Sequence, residues 1–295
     1  MKNNNLVFVG LLVSGFFAAT SLYAGDVVEL TKSAAPNGLV KIDNVRGDVR
    51  IVGWDKDQIS IVGELDALAK KLIFEVNGDR AVIKVQMPHG SIGWGDGSDL
   101  DIHVPKGSRV DFVGVSTDIV AQGIAGGIRI SSVSGDIRAN NLQGHQMLSS
   151  VSGEIVVEQS SGQLRSSSVS GDVDVLSHMG QLDLETVSGD VEIHIVENEK
   201  LRVKSISGEI DVISDLLRGA FVDIETISGG IALELKGELG AEFDIDAGMS
   251  GDIENDLTND EVAKARNGRE TLKMMLGDGS GEIRIRTVSA SINIE

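Results

Sequence analysis

The chain has no cysteine, three prolines and an aromatic content of 3%. The absence of cysteine removes a disulfide framework, a thiol nucleophile and an N-terminal lipid anchor. Beyond residue 24 the aromatic residues are Trp54, Trp94 and four phenylalanines. Sugar-binding clefts that work by ring stacking therefore have little to build on. Positive charge is also scarce: 26 Lys and Arg stand against 45 Asp and Glu, for a net charge of −19. No basic stripe interrupts that excess, which excludes a nucleic-acid partner. Anionic membrane surfaces should repel the chain unless a divalent cation intervenes.

Long apolar runs are confined to the start. Lys2, the run from Leu6 to Ala19, and Ser21-Leu22-Tyr23-Ala24 before Gly25 read as a secretory signal peptide over 1–24. The run is shorter than the ~20 residues a membrane span needs, so no integral membrane segment is expected after cleavage. The expected address is export, to the periplasm or to the cell surface and beyond. Losing Lys2 leaves the mature chain one unit more negative.

What the chain does have is a repeat. Val/Ile-Ser-Gly-Asp/Glu, or a close variant, starts at Val133, Val151, Val169, Val187, Ile206, Ile227 and Met249. Val115-Ser116-Thr117-Asp118 and Val288-Ser289-Ala290-Ser291 are degenerate copies. Counting from the Val or Ile as position 0, positions −5, −3, 0, +4 and +6 are apolar in every regular copy except at Gln146 and Ser166. Period-two alternation on both sides of a turn marks strands with one buried face. Gly at +2 is expected to supply a positive φ at the turn, and a second Gly at −7 (Gly126, Gly144, Gly162, Gly180, Gly281) to mark another corner. Coils of about 18 residues and two strands, too small to fold alone, would stack into one core.

Antiparallel hairpins are the competing reading. Position −4 carries Arg165, Asp183, Arg202 and Asp223 in successive copies, and −2 carries Glu185, Lys204 and Glu225. Such alternation helps only if equivalent positions are neighbours about 4.8 Å apart. The predicted fold is therefore all-β, a parallel β-solenoid (β-helix). A less regular N-terminal β region over 25–106 is continuous with the repeat solenoid of 107–295, which carries an insertion at about 256–280. In the N-terminal region Val40, Ile42, Val45, Val49 and Ile51 match the five inward positions. Leu72 to Val76 and Ala81 to Val85 read as a hairpin across Asn77-Gly78-Asp79. Asp260 to Met275 reads as a hairpin over Asn267-Gly268 or a short helix, with Gly281 to Ile294 as a closing coil.

These turns, with Val49-Arg50-Ile51-Val52-Gly53-Trp54-Asp55 and Leu100-Asp101-Ile102-His103-Val104-Pro105, resemble the bacterial domain-of-unknown-function family labelled "putative adhesin", akin to the head domains of some cell-surface proteins. The resemblance covers nearly all of the mature chain. It implies a β-solenoid, an exported or envelope-associated life and no established enzymatic activity. Thr117, Gly230 and the Ser-Ala-Ser ending depart from the pattern and argue against a uniform ligand row along the turns.

Candidate chemistry centres on the acidic row at +3: Asp118, Asp136, Glu154, Asp172, Asp190 and Glu209. Carboxylates about 5 Å apart repel by just under ~1 kcal/mol per pair in water. The plain expectation is that each accepts hydrogen bonds from its own turn. The alternative is a column of Ca²⁺, which takes such oxygen ligands and would make the chain a calcium-dependent binder. Asp96-Gly97-Ser98-Asp99-Leu100-Asp101 lacks EF-hand spacing, and Gly277 to Gly281 lacks the Lys-Ser/Thr of a phosphate loop; both read as turns. The five histidines (His89, His103, His145, His178, His194) show no ligand spacing and read as surface or strand residues. No paired acid–base constellation supports a polysaccharide-active enzyme; no catalytic residue is assigned. Lys264, Arg266, Arg269 and Lys273 form the one positively charged stretch and are the candidate partner contact. The overall expectation is a non-catalytic, adhesin-like or scaffolding protein that binds a polysaccharide or protein of the envelope through a repetitive β face.

Overall fold

The computed structural model describes residues 27–88, 95–237 and 240–295. The signal-peptide segment, His89 and Trp94 lie outside them. The described residues form strands and turns with no helix, hence none long and apolar enough to cross a membrane.

Strands stack in parallel on two faces. On one, Ile137, Ile155, Val173, Val191, Ile210 and Ile231 lie in register from rung to rung. On the other, Gln146, Leu164, Leu182, Leu201, Val222 and Ile283 do the same. The inward residues of both faces make one continuous core of Val, Ile and Leu. Parallel pairing brings the alternating surface charges together as expected. Arg165 meets Asp183 at 3.0 Å, Arg202 meets Asp223 at 3.3 Å and Lys204 meets Glu225 at 2.8 Å.

The corners differ from the sequence expectation in two ways. Position 0 does not point inward: Val45, Val115, Val133 and their equivalents are exposed, while the hydroxyl residue before each of Val133 to Val187 is buried. The alternation runs on unbroken from −5 and −3 to −1, so Ser132, Ser150 and Ser168 take the inside and the Val lies outside; the slip of one residue falls after the Val, before the buried Gly at +2. Nor does Gly at +2 serve chiefly to reach positive φ. Gly135, Gly153, Gly171 and Gly189 are not in that region; Gly208 and Gly229 are. At all of them a Cβ would strike the backbone of the preceding rung's corner. Close stacking is the common requirement. Left-handed residues do occur at the second corner, where Asn141, Gln159 and Ser177 have φ of 51°, 49° and 58°.

Rungs follow chain order from Arg109–Gln122 to Ile231–Lys236, but not at the ends. Leu39–Trp54 lies between Arg109–Gln122 on one side and Arg80–Gln86 with Asp99–Pro105 on the other. Gly281–Ser289 and Ser291–Ile294 do not close the stack as expected. They are sandwiched between the 210–236 coil and the coil made by Ala241–Asp246 and Asp252–Asn255. This is possible because all coils share one inward pattern, so a late segment fits any gap of the right width.

Antiparallel strands cover both ends. Lys71–Asn77 pairs with Arg80–Gln86 across Asn77-Gly78-Asp79, and Gln58–Glu64 pairs with Asp99–Pro105 and with Val27–Ser33. At the other end Glu270–Leu276 lies on Ala241–Asp246 and turns back through Asn267-Gly268 to Ala263–Lys264. The 260–275 segment is thus a hairpin. The stack thus finishes at each end in antiparallel strands rather than in a bare parallel coil.

A candidate binding ridge along one corner

The alternation at the corners produces the most distinctive surface of the molecule. Val45, Val115, Val133, Val151, Val169, Val187, Ile206, Ile227 and Val288 project from successive corners, each between 39% and 59% exposed, with Met249 beside them at 66%. Backbone bonds keep the column in register: the N–H of Ser134, Ser152, Ser170, Ser188, Ser207 and Ser228 donates to the carbonyl of the Val or Ile one rung earlier at 2.8–3.0 Å. Beneath, the buried hydroxyls lock each turn. Ser132, Ser150 and Ser168 accept from the N–H of Gly135, Gly153 and Gly171 at 3.2, 2.9 and 3.0 Å. Ser205 and Thr226 instead donate to the carbonyls of Ser207 and Ser228, each at 3.0 Å. At about 4.8 Å per rung the nine side chains span about 40 Å. A contiguous exposed apolar row of that length is a feature that soluble surfaces otherwise avoid.

Two further rows flank the ridge. The exposed serine hydroxyls point along the column: Ser170 and Ser188 donate to the carbonyls of Val151 and Val169 at 3.2 and 3.3 Å. Beyond them runs the acidic row at +3, whose bonding differs from expectation. Asp118 accepts not from its own turn but from the N–H of Asp136 one rung on, at 2.9 Å. Asp136 accepts in the same way from Glu154 at 3.0 Å, Asp172 from Asp190 at 2.9 Å, and Asp190 from Glu209 at 2.8 Å. Each such carboxylate ties its rung to the next, which offsets repulsion along the row.

Sequence reasoning missed a second acidic row two residues further on. Asp174, Glu192 and Asp211 stand in register on the same face. Burial raises the pKa of Asp174, and the charges of Glu192, Glu154 and Asp172 add to that shift. The signal was present in the sequence as acids at +5, but the turn tetrapeptide drew attention to +3. Among the described residues no three His, Asp or Glu side chains converge as a metal site.

On the other side of the ridge lie shallow grooves. One of about 420 Å³ is bounded by Ile206, Ile227 and Val288 on the apolar side and by Lys204, Glu225 and Arg286 on the charged side. A second, of about 340 Å³, continues it past Val187 and Glu185. The ridge therefore has an apolar crest, an acidic flank and a mixed-charge flank.

The remaining candidates are scattered. Lys264 pairs with Glu270 at 2.6 Å, Lys273 with Asp244 at 3.3 Å, and Arg269 with Asp246. Only Arg266 of the four is exposed without a side-chain partner among the described residues, so the stretch is largely neutralised within the protein. His103 lies against Trp54, ring centroids 5.0 Å apart, and His194 beside Glu192 at 3.5 Å. His178 is in a strand but is buried, which the sequence did not signal. Its Nδ1 meets the Ser160 hydroxyl at 2.8 Å and its Nε2 the Gln181 carbonyl at 3.2 Å. A carbonyl only accepts, so Nε2 carries the proton and Nδ1 accepts from Ser160. Burial lowers the His178 pKa against the opposing effect of backbone bonds to Gln181 and Gly162.

Parallel rungs with one repeated corner define a β-solenoid-like protein that presents rows of side chains. Residues 37–295 match the Toastrack family, DUF4097, and the chain belongs to that family, a bacterial domain of unknown function. No curated protein matches the chain. Among solved structures it is similar to a "putative adhesin" from Parabacteroides distasonis, with a TM-score of 0.56 at 11% identity, covering 92% of this chain and 98% of that one. A "putative lipid binding protein" from the same species gives 0.49 at 14%, covering 92% and 97%. A "putative adhesin" from Bacteroides fragilis gives 0.46 at 12%, covering 92% and 97%. The first of these establishes the fold; identity this low carries no ligand.

Proposed function

We propose that the chain is an exported, non-catalytic envelope or surface protein, adhesin-like, in which coils of about 18 residues repeat a binding corner. The observation that carries this reading is the exposed Val and Ile column, held in register by backbone bonds. Apolar side chains kept outside across nine rungs serve contact with another surface better than they serve solubility. The absence of an assembled acid–base pair from the sequence motifs, and the likeness to a protein named for adhesion, support the non-catalytic side of it.

The test is co-sedimentation of the protein with isolated envelope fractions, using Val151→Thr/Val169→Thr/Val187→Thr. Threonine keeps the β-branched shape, so the fold should persist while binding falls at least tenfold. Unchanged binding by the folded variant would remove the ridge from the function. Sugar ends released into the supernatant would overturn the non-catalytic reading. A calcium-dependent form of the same function rests on the paired acidic rows, and loss of binding with EDTA would select it.

A further inference from the structure

Away from the ridge, on the outer surface of the 109–165 rungs and beside Leu39, lies a depression of about 560 Å³. Part of its lining is bare backbone, Gly126 and Gly127. Arg109 and His145 stand one rung to either side of Gly127, and Gly126 adjoins it. Arg129 and Arg165 line the depression from the −4 row and Gln163 from the −6 row.

The depression gathers two arginines that lack an acidic partner, where most arginines of the described residues have one. Arg50, Arg165 and Arg202 each have a carboxylate partner. Arg109 and Arg129 have no side-chain partner among the described residues. The one acid in the lining, Asp111, is engaged by Lys41 at 3.2 Å. Two guanidinium groups left unpaired in a chain of net charge −19 form a local attraction for an anion, and the guanidinium fork matches carboxylate and sulfate oxygens. Beyond the depression the surface continues with hydrogen-bonding side chains one rung apart. Gln163 pairs in register with Gln181, and Ser131, Ser149 and Ser167 form a ladder in which Ser149 donates to Ser131 at 3.1 Å. A flat run of amides and hydroxyls beside an anion cradle suits a polyhydroxylated, charged chain, and it needs no aromatic stacking.

We propose that this depression, with the Gln and Ser rows leading from it, binds an acidic polysaccharide, Arg109 and Arg129 taking its carboxylate or sulfate groups. The site is separate from the Val and Ile ridge and does not depend on the ridge's role. The experiment is equilibrium binding of the protein to polygalacturonate, dextran sulfate and neutral dextran at about 0.15 M salt, where long-range attraction is screened beyond ~8 Å. At least one charged polymer should bind and neutral dextran should not; which charged polymer binds identifies the anion. Arg109→Ser/Arg129→Ser should weaken that binding at least tenfold. The charge-matched control Arg218→Ser/Lys236→Ser, at exposed positions outside the lining, should stay within twofold. Arg109→Lys/Arg129→Lys keeps charge and fold but loses the fork, and should weaken binding about threefold or more. Failure of both charged polymers to bind, equal binding of neutral dextran, or equal loss in the control would each overturn the proposal.

Discussion

Between Arg109 and Lys236 every coil rests on the one before it in the chain, whereas at both ends a coil is inserted between neighbours that are distant in sequence. In the ordered middle, stability is close to a sum of rung and nearest-neighbour terms. At the ends, one coil holds together two segments that would otherwise be joined only by a connection. The middle is thus a spacer that displays rows, and the ends are fasteners that fix its length.

The largest expected effect comes from removing a fastener. Deleting 281–295 takes out Ile283, Ile285, Ile292 and Ile294, all fully or nearly fully buried, each contributing about 1.5–3 kcal/mol of transfer free energy. It also leaves the 241–255 coil and its hairpin with nothing beneath them. Calorimetry should show the region beyond Lys236 lost and the remaining transition lowered, with the 109–209 rungs retained. A single unshifted transition with the 241–276 strands intact would mean that the inserted coil is dispensable and the two regions are alike.

A smaller contrast separates glycine positions. In the middle, Gly153→Ala forces a Cβ against the Gly135 carbonyl and should destabilise by about 2–3 kcal/mol, as overpacking does. Gly230, which faces open space without a positive φ, should accept Ala with a change within about 1 kcal/mol. Urea titration of both variants tests whether rung-to-rung closeness sets the requirement.

The smallest effect is a pH dependence located in the middle. His178 has a lowered pKa in the fold, so between the unfolded value near 6.5 and the lower folded value the unfolded chain binds the extra proton. Its contribution is complete above pH ~6.5 and declines as pH falls below it. Melting curves at pH 7.5 and 5.5 should show the wild type losing more stability than His178→Gln over that interval; an equal loss would show that the imidazole takes up its proton alike in the folded and unfolded chain.

The parallel stack was legible because two signals agreed: the regular spacing of Val-Ser-Gly-Asp and the alternation of Arg165, Asp183, Arg202 and Asp223 along one position. The orientation of the corner Val was not read correctly, since an apolar count treats inward and outward Val alike. The small hydroxyl residues at −1 (Ser132, Ser150, Ser168, Thr186) carried the missing information: each is buried inside the corner, and the three serines bond the turn. The order of the terminal coils could not be read at all. Ile283 and Ile285 match the inward pattern of every rung, and nothing in that pattern gives an address. Of the candidate site residues, the acidic row lies where expected but bonds to the next rung. The depression went unnoticed because the repeat was read for what recurs, while Arg109, Gly127 and His145 differ from rung to rung at one position.

The inserted C-terminal coil also determines how the molecule would respond to tension. Force applied beyond Ile294 would act on strands hydrogen-bonded on both sides, to Ile231–Lys236 and to Asp252–Asn255. Two ladders would have to shear together, where a solenoid wound in simple order could be peeled from its last rung one bond at a time.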